Sequence, residues 1–225
     1  MRPAGWKYLL SYLWEVHIES APSEINPHLY VSLKWGRYQL STANAIYSFE
    51  DKYDNFFNSF LELDLDKLPG KRVLILGLGL ASIIFMLERK FGKEFDYTAV
   101  ELDEAVIYLA SKYVLDDIHS PVQLIQADAN RFMELNEEEY DLIIMDVFVD
   151  DIIPDEMEQT HFLERIQSSL HPDGLFMFNR LAYHEKDRAH SEKYFNNIFK
   201  QVFKDGCFIQ VKGNYMLMNN PDFHI

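Results

Sequence analysis

The chain has 225 residues, 48% of them apolar and 15% aromatic, with 36 Asp and Glu against 21 Lys and Arg for a formal charge of −15. That apolar content excludes a disordered chain and suits one generous α/β unit with a small appendage. The acidic balance disfavours nucleic acid as a partner; its plainest role is solubility, although it also suits a cationic substrate.

Cys207 is the only cysteine, so an intrachain disulfide and a thiolate metal cluster are both excluded. Eight histidines show no H-E-x-x-H or paired spacing, and no metal site is expected. The stretch Met1 to Ser20 lacks the long apolar run and cleavage site of a signal peptide, and no segment approaches the roughly 18 apolar residues of a membrane span. A soluble, cytoplasmic protein without a membrane partner is expected.

In chain order, residues 1–66 read as a small β-rich module. Strands are expected in "YLLSYLWEVHIES", "LYVSLKWGRYQLST" and "AIYSF", with Gly36 at a hairpin turn, and a helix in "EDKYDNFFNSFLELDL". "DKLPGK", Asp66 to Lys71, punctuates the boundary. Residues 67–225 then alternate strand and helix. "RVLILGL" is a buried strand, followed by the helix "LASIIFMLERKFG" ending at Gly92. "DYTAVEL", "VQLIQAD" and "YDLIIMDVF" are the next strands, separated by the helices "DEAVIYLASKYV" and "ANRFMELN". A helix in "DEMEQTHFLERIQSSL", the connection "HPDG", the strand "LFMFNRL" and a long helix over Glu185 to Phe203 follow. Two closing strands turn at Gly213-Asn214. The order implies an α/β fold: a mostly parallel sheet covered on both faces, with an antiparallel hairpin at the C-terminal end.

In such sheets ligands bind beyond the carboxyl ends of the strands, so polar residues there carry the chemistry. Gly77 and Gly79 follow the first strand and let the backbone approach a ligand closely, or simply make a tight turn. The third glycine of a dinucleotide loop and the Lys-Ser/Thr pair of a phosphate loop are both missing. Glu101 ends the second strand 22 residues beyond Gly79, the distance at which an acid accepts from both ribose hydroxyls; as a helix N-terminal acid it would compete with Asp103 and Glu104, which fit that role better. Asp128 with the Ala129 N–H suits an adenine edge, or Asp128 is the N-cap of the following helix. Asp146, Asp150 and Asp151 follow the fourth strand; they could hold a cation or take a proton, or be loop acids of an acidic protein, with Asp146 the strongest because it directly ends an apolar strand.

Glycine turn, ribose acid, adenine acid and fourth-strand acid come in the order of a class I S-adenosylmethionine-dependent transferase, whose sulfonium nucleoside needs no phosphate cradle. The stretches "VLILGLGLAS", "TAVELDEAVIYLASKY", "VQLIQADANRFM", "YDLIIMDVFVD" and "FLERIQSSLHPDGLFMFN" resemble the spermidine synthase (aminopropyltransferase) family, with a fainter similarity in "LSTANAIYSFEDKYDNFF". The resemblance implies a Rossmann-like, methyltransferase-type domain with a seven-stranded sheet, S-adenosylmethionine or its decarboxylated form as donor, a small amine acceptor, and a homodimer formed through the N-terminal module and the aromatic segment around Tyr30 to Phe60. It assigns Gly77, Gly79, Glu101, Asp128 and Ala129 to the donor and Asp146 to the acceptor's proton. Where the family's glycine loop has an acid, Leu80 stands; Val149 replaces the second acid of the fourth-strand motif, with Asp150 one residue later. The family's glutamine, tyrosine and histidine align with Tyr47, Phe56 and Phe57. Leu80 and Phe57 are expected to make the acceptor pocket more apolar. Two readings stand: a transferase moving a methyl or aminopropyl group, or a member of the fold that binds a nucleoside, or a protein partner, without turnover. A nicotinamide-dependent oxidoreductase fits poorly, because Ile83 lies near the final glycine position.

Overall fold

The structure, a computed structural model, describes residues 5–26, 28–43, 45–149 and 152–225. An antiparallel sheet comes first: β1 (Val16–Ser20), β2 (Tyr30–Lys34), β3 (Arg37–Ser41) and β4 (Ile46–Ser48), in that spatial order. Its central hairpin turns at Trp35-Gly36, both at positive φ, the geometry whose twist matches the strands it joins. The expected strand over Tyr8 to Trp14 is corrected: α1 (Gly5–Leu10) and a turn occupy that stretch. Trp6, Leu9 and Leu13 recur at helical spacing rather than alternating, and all three are exposed. The helix expected from Glu50 to Leu65 also breaks, into a 3-10 turn (Glu50–Lys52) and α2 (Asp54–Leu61), with Tyr53 at the joint.

From residue 72 the strands and helices alternate as expected. β5 (Arg72–Leu76), α3 (Ser82–Arg89), β6 (Asp96–Glu101), α4 (Glu104–Tyr113), β7 (Val122–Gln126) and α5 (Ala129–Leu135) lead to β8 (Tyr140–Met145). Then come α6 (Thr160–Ser168), β9 (Leu170–Leu181), α7 (Glu185–Tyr194), β10 (Cys207–Val211) and β11 (Asn214–Met218). The seven strands lie in the order β10-β11-β9-β8-β5-β6-β7, and β11 alone runs against the rest. Two local expectations differ. "HPDG" is a bulge inside β9, where the register passes from Tyr140↔Leu170 to Leu142↔Leu175. The last hairpin turns at Lys212-Gly213, because Asn214 is already in the ladder opposite both Val211 and Leu181.

Alternate residues of the central strand serve opposite faces. Val73 and Ile75 join a cluster with α3, α4, Phe56 and Phe60 of α2, and Leu29, Val31, Leu33 and Leu40 of the N-terminal segment. Leu74 and Leu76 join a second cluster with Met133, Phe162, Ile166 and Phe199 from the helices of the other face. A strand buried on both faces needs the continuous apolar run of "VLIL". The small sheet therefore packs over the face that carries α3 and α4, at the end where the polar strand termini lie.

Ala81, at the N-cap of α3, has φ 57° and ψ 31°, a left-handed conformation that costs a non-glycine residue about 1–2 kcal/mol. Its lost methyl is worth about 0.8 kcal/mol. Ala81→Gly is therefore expected to keep or raise the urea midpoint. Ala110→Gly, at a buried position of α4, is expected to lower stability by about 1 kcal/mol or more.

Candidate functional site

The turn after β5 is fixed by two glycines. Gly77 has φ +90°, and a Cβ there would lie 2.2 Å from the Asp146 carbonyl oxygen. Gly79 has φ +53°, and its Cβ would meet the Tyr47 carbonyl at 3.0 Å. Ser82, in the first turn of α3, binds the small sheet to this loop: its hydroxyl lies 2.6 Å from Ser48 Oγ and accepts from the Phe49 N–H at 3.0 Å. Adjacent strand ends are tied as well, Gly77 N–H donating to the Val100 carbonyl (2.9 Å) and Asp146 N–H to the Leu76 carbonyl (2.8 Å).

These ends enclose a cleft of about 720 Å3, counting its solvent-open part. Gly77, Gly79, Glu101, Asp128, Ala129 and Asp146, separated by up to 69 residues in sequence, all line it. Asp150 and Asp151 lie outside the described residues.

Glu101 accepts from the Leu78 N–H at Oε2 and from the Asp103 N–H at Oε1, both at 3.0 Å. The Gly79 N–H also favours the charged form, and a carboxylate with about four acceptor sites keeps capacity beyond these groups. Burial pushes its pKa up; the Asp103 and Leu78 N–H groups oppose that rise, and the Asp103 charge adds to it. Asp128 is the N-cap of α5, its Oδ1 accepting from the Arg131 N–H at 2.9 Å. The capping role weighed in the sequence is thus present, yet the residue also faces the cleft. Asp103, for its part, caps α4 through the Ala105 N–H (2.9 Å).

Asp146 sits between two neutral donors, with Tyr53 OH on Oδ2 (2.9 Å) and Asn179 Nδ2 on Oδ1 (2.8 Å). Asn179 Oδ1 in turn accepts from Asn214 Nδ2 at 2.9 Å, which fixes the carboxamide's direction. Burial raises the Asp146 pKa from 3.8 to about 6; the Asn179 and Tyr53 bonds offset part of that rise, and the charge of Glu101 adds to it.

Tyr47 and Asn26 complete the rim. Tyr47 OH lies 2.7 Å from Asn26 Oδ1 and 3.3 Å from the Phe148 carbonyl, while Asn26 Nδ2 donates to Asp103 Oδ2 at 2.7 Å. Tyr53, Asn179 and Asn26 are not among the site residues expected from sequence, and Tyr47 enters there only as the position aligned with the family's glutamine. Asn179 carries the same signal as Asp146, a polar residue near the end of an apolar strand; Tyr47 carries only its place in the family motif, and Tyr53 and Asn26 carry none. The expected apolar contribution of Leu80 and Phe57 is corrected. Leu80 is fully buried in the core, and Phe57 packs on Phe91 at 5.7 Å, so neither lines the cleft. Val149 does line it.

A mostly parallel seven-stranded sheet with a cleft across the carboxyl ends of β5, β6, β7 and β8 has the arrangement of a methyltransferase-like α/β fold. Human methyltransferase-like protein 13 in complex with SAH shares this fold, with a TM-score of 0.61 at 20% identity over 76% of this chain and 83% of that one. Spermidine synthase from Thermotoga maritima aligns with a TM-score of 0.69 at 18% identity, covering 90% of this chain and 72% of that one. The spermine/spermidine synthase domain model matches residues 65–204, and the chain belongs to that family. A probable polyamine aminopropyl transferase of Bifidobacterium longum (strain NCC 2705) is 29% identical over 106 residues, 47% of this chain and 23% of that relative. The matched stretch is thus under a quarter of that relative's own length.

The raised pKa of Asp146 fixes a sign. Between pH 4 and 6 the folded chain keeps a proton that the unfolded chain has released, so stability falls as pH rises through that window. Asp146→Asn is expected to flatten this fall by up to about 1.4 kcal/mol per pH unit. Urea midpoints of both proteins from pH 4 to 7 test it, and parallel curves would refute the shift.

Proposed function

We propose that the chain is an aminopropyltransferase using decarboxylated S-adenosylmethionine as donor and a small amine as acceptor. The supporting observation is the charge of the cleft. Its described lining carries three carboxylates, Glu101, Asp128 and Asp146, and no lysine, arginine or histidine. The α-carboxylate of S-adenosylmethionine would meet no cationic side chain there, whereas the decarboxylated donor and an amine acceptor present only positive charge. Methyl transfer from S-adenosylmethionine is less well supported for that reason.

In this reading Glu101 accepts from the ribose hydroxyls, and Asp128 with the Ala129 N–H meets the adenine edge. The glycine turn permits close approach of the donor. The acceptor's nitrogen attacks the propyl carbon bonded to sulfur; the C–S bond breaks and its electron pair leaves with 5′-methylthioadenosine. Asp146, ionised above about pH 6, takes the proton released from nitrogen. A sulfonium is already an activated leaving group, so positioning supplies much of the rate. Tyr53 and Asn179 hold the base in place without adding charge.

Calorimetric titration with decarboxylated S-adenosylmethionine, S-adenosylmethionine and 5′-methylthioadenosine tests the reading. The decarboxylated donor is expected to bind at least about tenfold more tightly than S-adenosylmethionine. Glu101→Ala removes hydrogen bonds to a charged group worth about 1.5–3 kcal/mol, so a loss of about tenfold or more is expected for every nucleoside. Asp146→Asn is expected to keep 5′-methylthioadenosine binding and lower kcat by about 10²–10⁴. Absence of binding by the wild-type chain would overturn the proposal. Val149, lining the cleft where the family motif has an acid, favours a second reading, nucleoside binding without turnover. Tight, Glu101-dependent binding with no product from any diamine would establish that one.

We also propose that the chain forms a homodimer through its N-terminal face, where Trp6, Leu9, Leu13 and Trp14 are exposed. Sedimentation is expected to give a dimer that Trp6→Ser with Trp14→Ser converts to monomer.

A further inference from the structure

We infer that Arg180 is a positioning residue: paired with Glu158, its guanidinium is a strut that holds one wall of the cleft at its distance from the sheet. The wall is formed by residues 147–149 and 152–157, between β8 and α6, which supply Val147, Phe148, Val149, Pro154 and Met157 to the cleft lining. On its far side lies a second, solvent-open groove of about 840 Å3, counting its open part, whose lining includes Phe148, Ile153, Glu158, Arg180 and His190. Phe148 lines both spaces, so this part of the wall is a thin partition with room to move away from the cleft.

Arg180 reaches Glu158 from β9. Its Nη2 lies 2.5 Å from Glu158 Oε1, with the arginine side chain 2% and the glutamate 15% exposed. Tyr194 of α7 stacks 3.9 Å from the guanidinium, and Nε donates to Ser191 Oγ at 3.4 Å. His190 Nε2 lies 3.5 Å from the same glutamate oxygen, and Lys186 lines the same space. Nη1 is buried with no hydrogen-bond partner among the described residues. Glu158 Oε1 also makes no hydrogen bond of good geometry, despite the close approach of Nη2, and a buried ion pair with an unsatisfied donor and acceptor is a poor device for stability, since well-packed apolar side chains of similar volume usually do as well. What it fixes is a distance. Glu158 directly follows Met157 of the wall, and Arg180 directly follows Asn179, the donor to Asp146. The pair thus sets the wall against the strand end that orients the carboxylate.

The double variant Arg180→Met with Glu158→Leu removes both charges and keeps apolar volume. Its thermal midpoint is expected within about 5 °C of wild type. Amide hydrogen exchange over residues 152–158 is expected to quicken at least tenfold, with Leu142–Met145 of β8 unchanged. The kinetic arm rests on the aminopropyltransferase reading: KM for the amine rises about tenfold, while kcat and 5′-methylthioadenosine binding stay within about threefold. Arg180→Lys, which keeps the charge but loses the planar fork, is expected to give a smaller change of the same kind, and it serves if the double variant does not fold. Wall exchange unchanged from wild type in these variants would overturn the strut. Faster exchange together with a wild-type chain that never turns over would uphold the strut and refute the transferase reading.

Discussion

The close approach of two chain segments at Gly77 sets the rest of the site. β5 lies between β6 and β8, so the connections from its carboxyl end diverge and leave a crevice. For that crevice to be narrow, the turn after β5 must pass against the Asp146 backbone, and a Cβ at Gly77 would stand 2.2 Å from its carbonyl oxygen. From this contact follow the Gly77–Val100, Leu76–Asp146 and Leu78–Glu101 hydrogen bonds, which draw three strand ends together and place two carboxylates on one cleft.

Electrostatics then narrows the chemistry. Three acids without a described cationic neighbour in the lining suit a positively charged ligand, and the chain's overall charge raises the concentration of such ligands nearby. Asp146 differs from the other two because both of its oxygens accept from neutral side chains, Tyr53 and Asn179. Its pKa near 6 leaves it ionised at neutral pH while making it a better base than an exposed aspartate. Family membership and the fold agree with this picture; the donor, the acceptor and turnover are what the binding and rate measurements decide.

Much of the large sheet was legible because its signals are local. "VLILGLG" is a doubly buried strand running into a turn, and each later apolar run ends near a polar residue or a glycine. Errors fell where two periods competed or where packing redirected the chain. Leu9 and Leu13 fall in a stretch that reads as continuous with the alternating residues of β1, although with Trp6 their spacing is helical. The segment from Glu50 to Leu65 has helical composition throughout, yet it breaks at Tyr53, whose hydroxyl meets Asp146. Leu80 was assigned to the pocket by its place in a motif, whereas the left-handed residues on either side of it, Gly79 and Ala81, accompany a side chain buried in the core.

From residue 72 onward the sequence by itself determined the order of strands and helices, the glycine turn, and the acids at strand ends, because hydrophobic periodicity and turn chemistry act over a few residues. The tertiary structure alone decided that Tyr53 and Asn179 share Asp146, 93 and 33 residues away in the chain. It alone decided that Asn26 and Tyr47 close the rim, and that Arg180 spans to Glu158 behind the wall. Such partners are chosen by how the small sheet and the helices pack on the large one, and no local pattern encodes a contact made between distant segments.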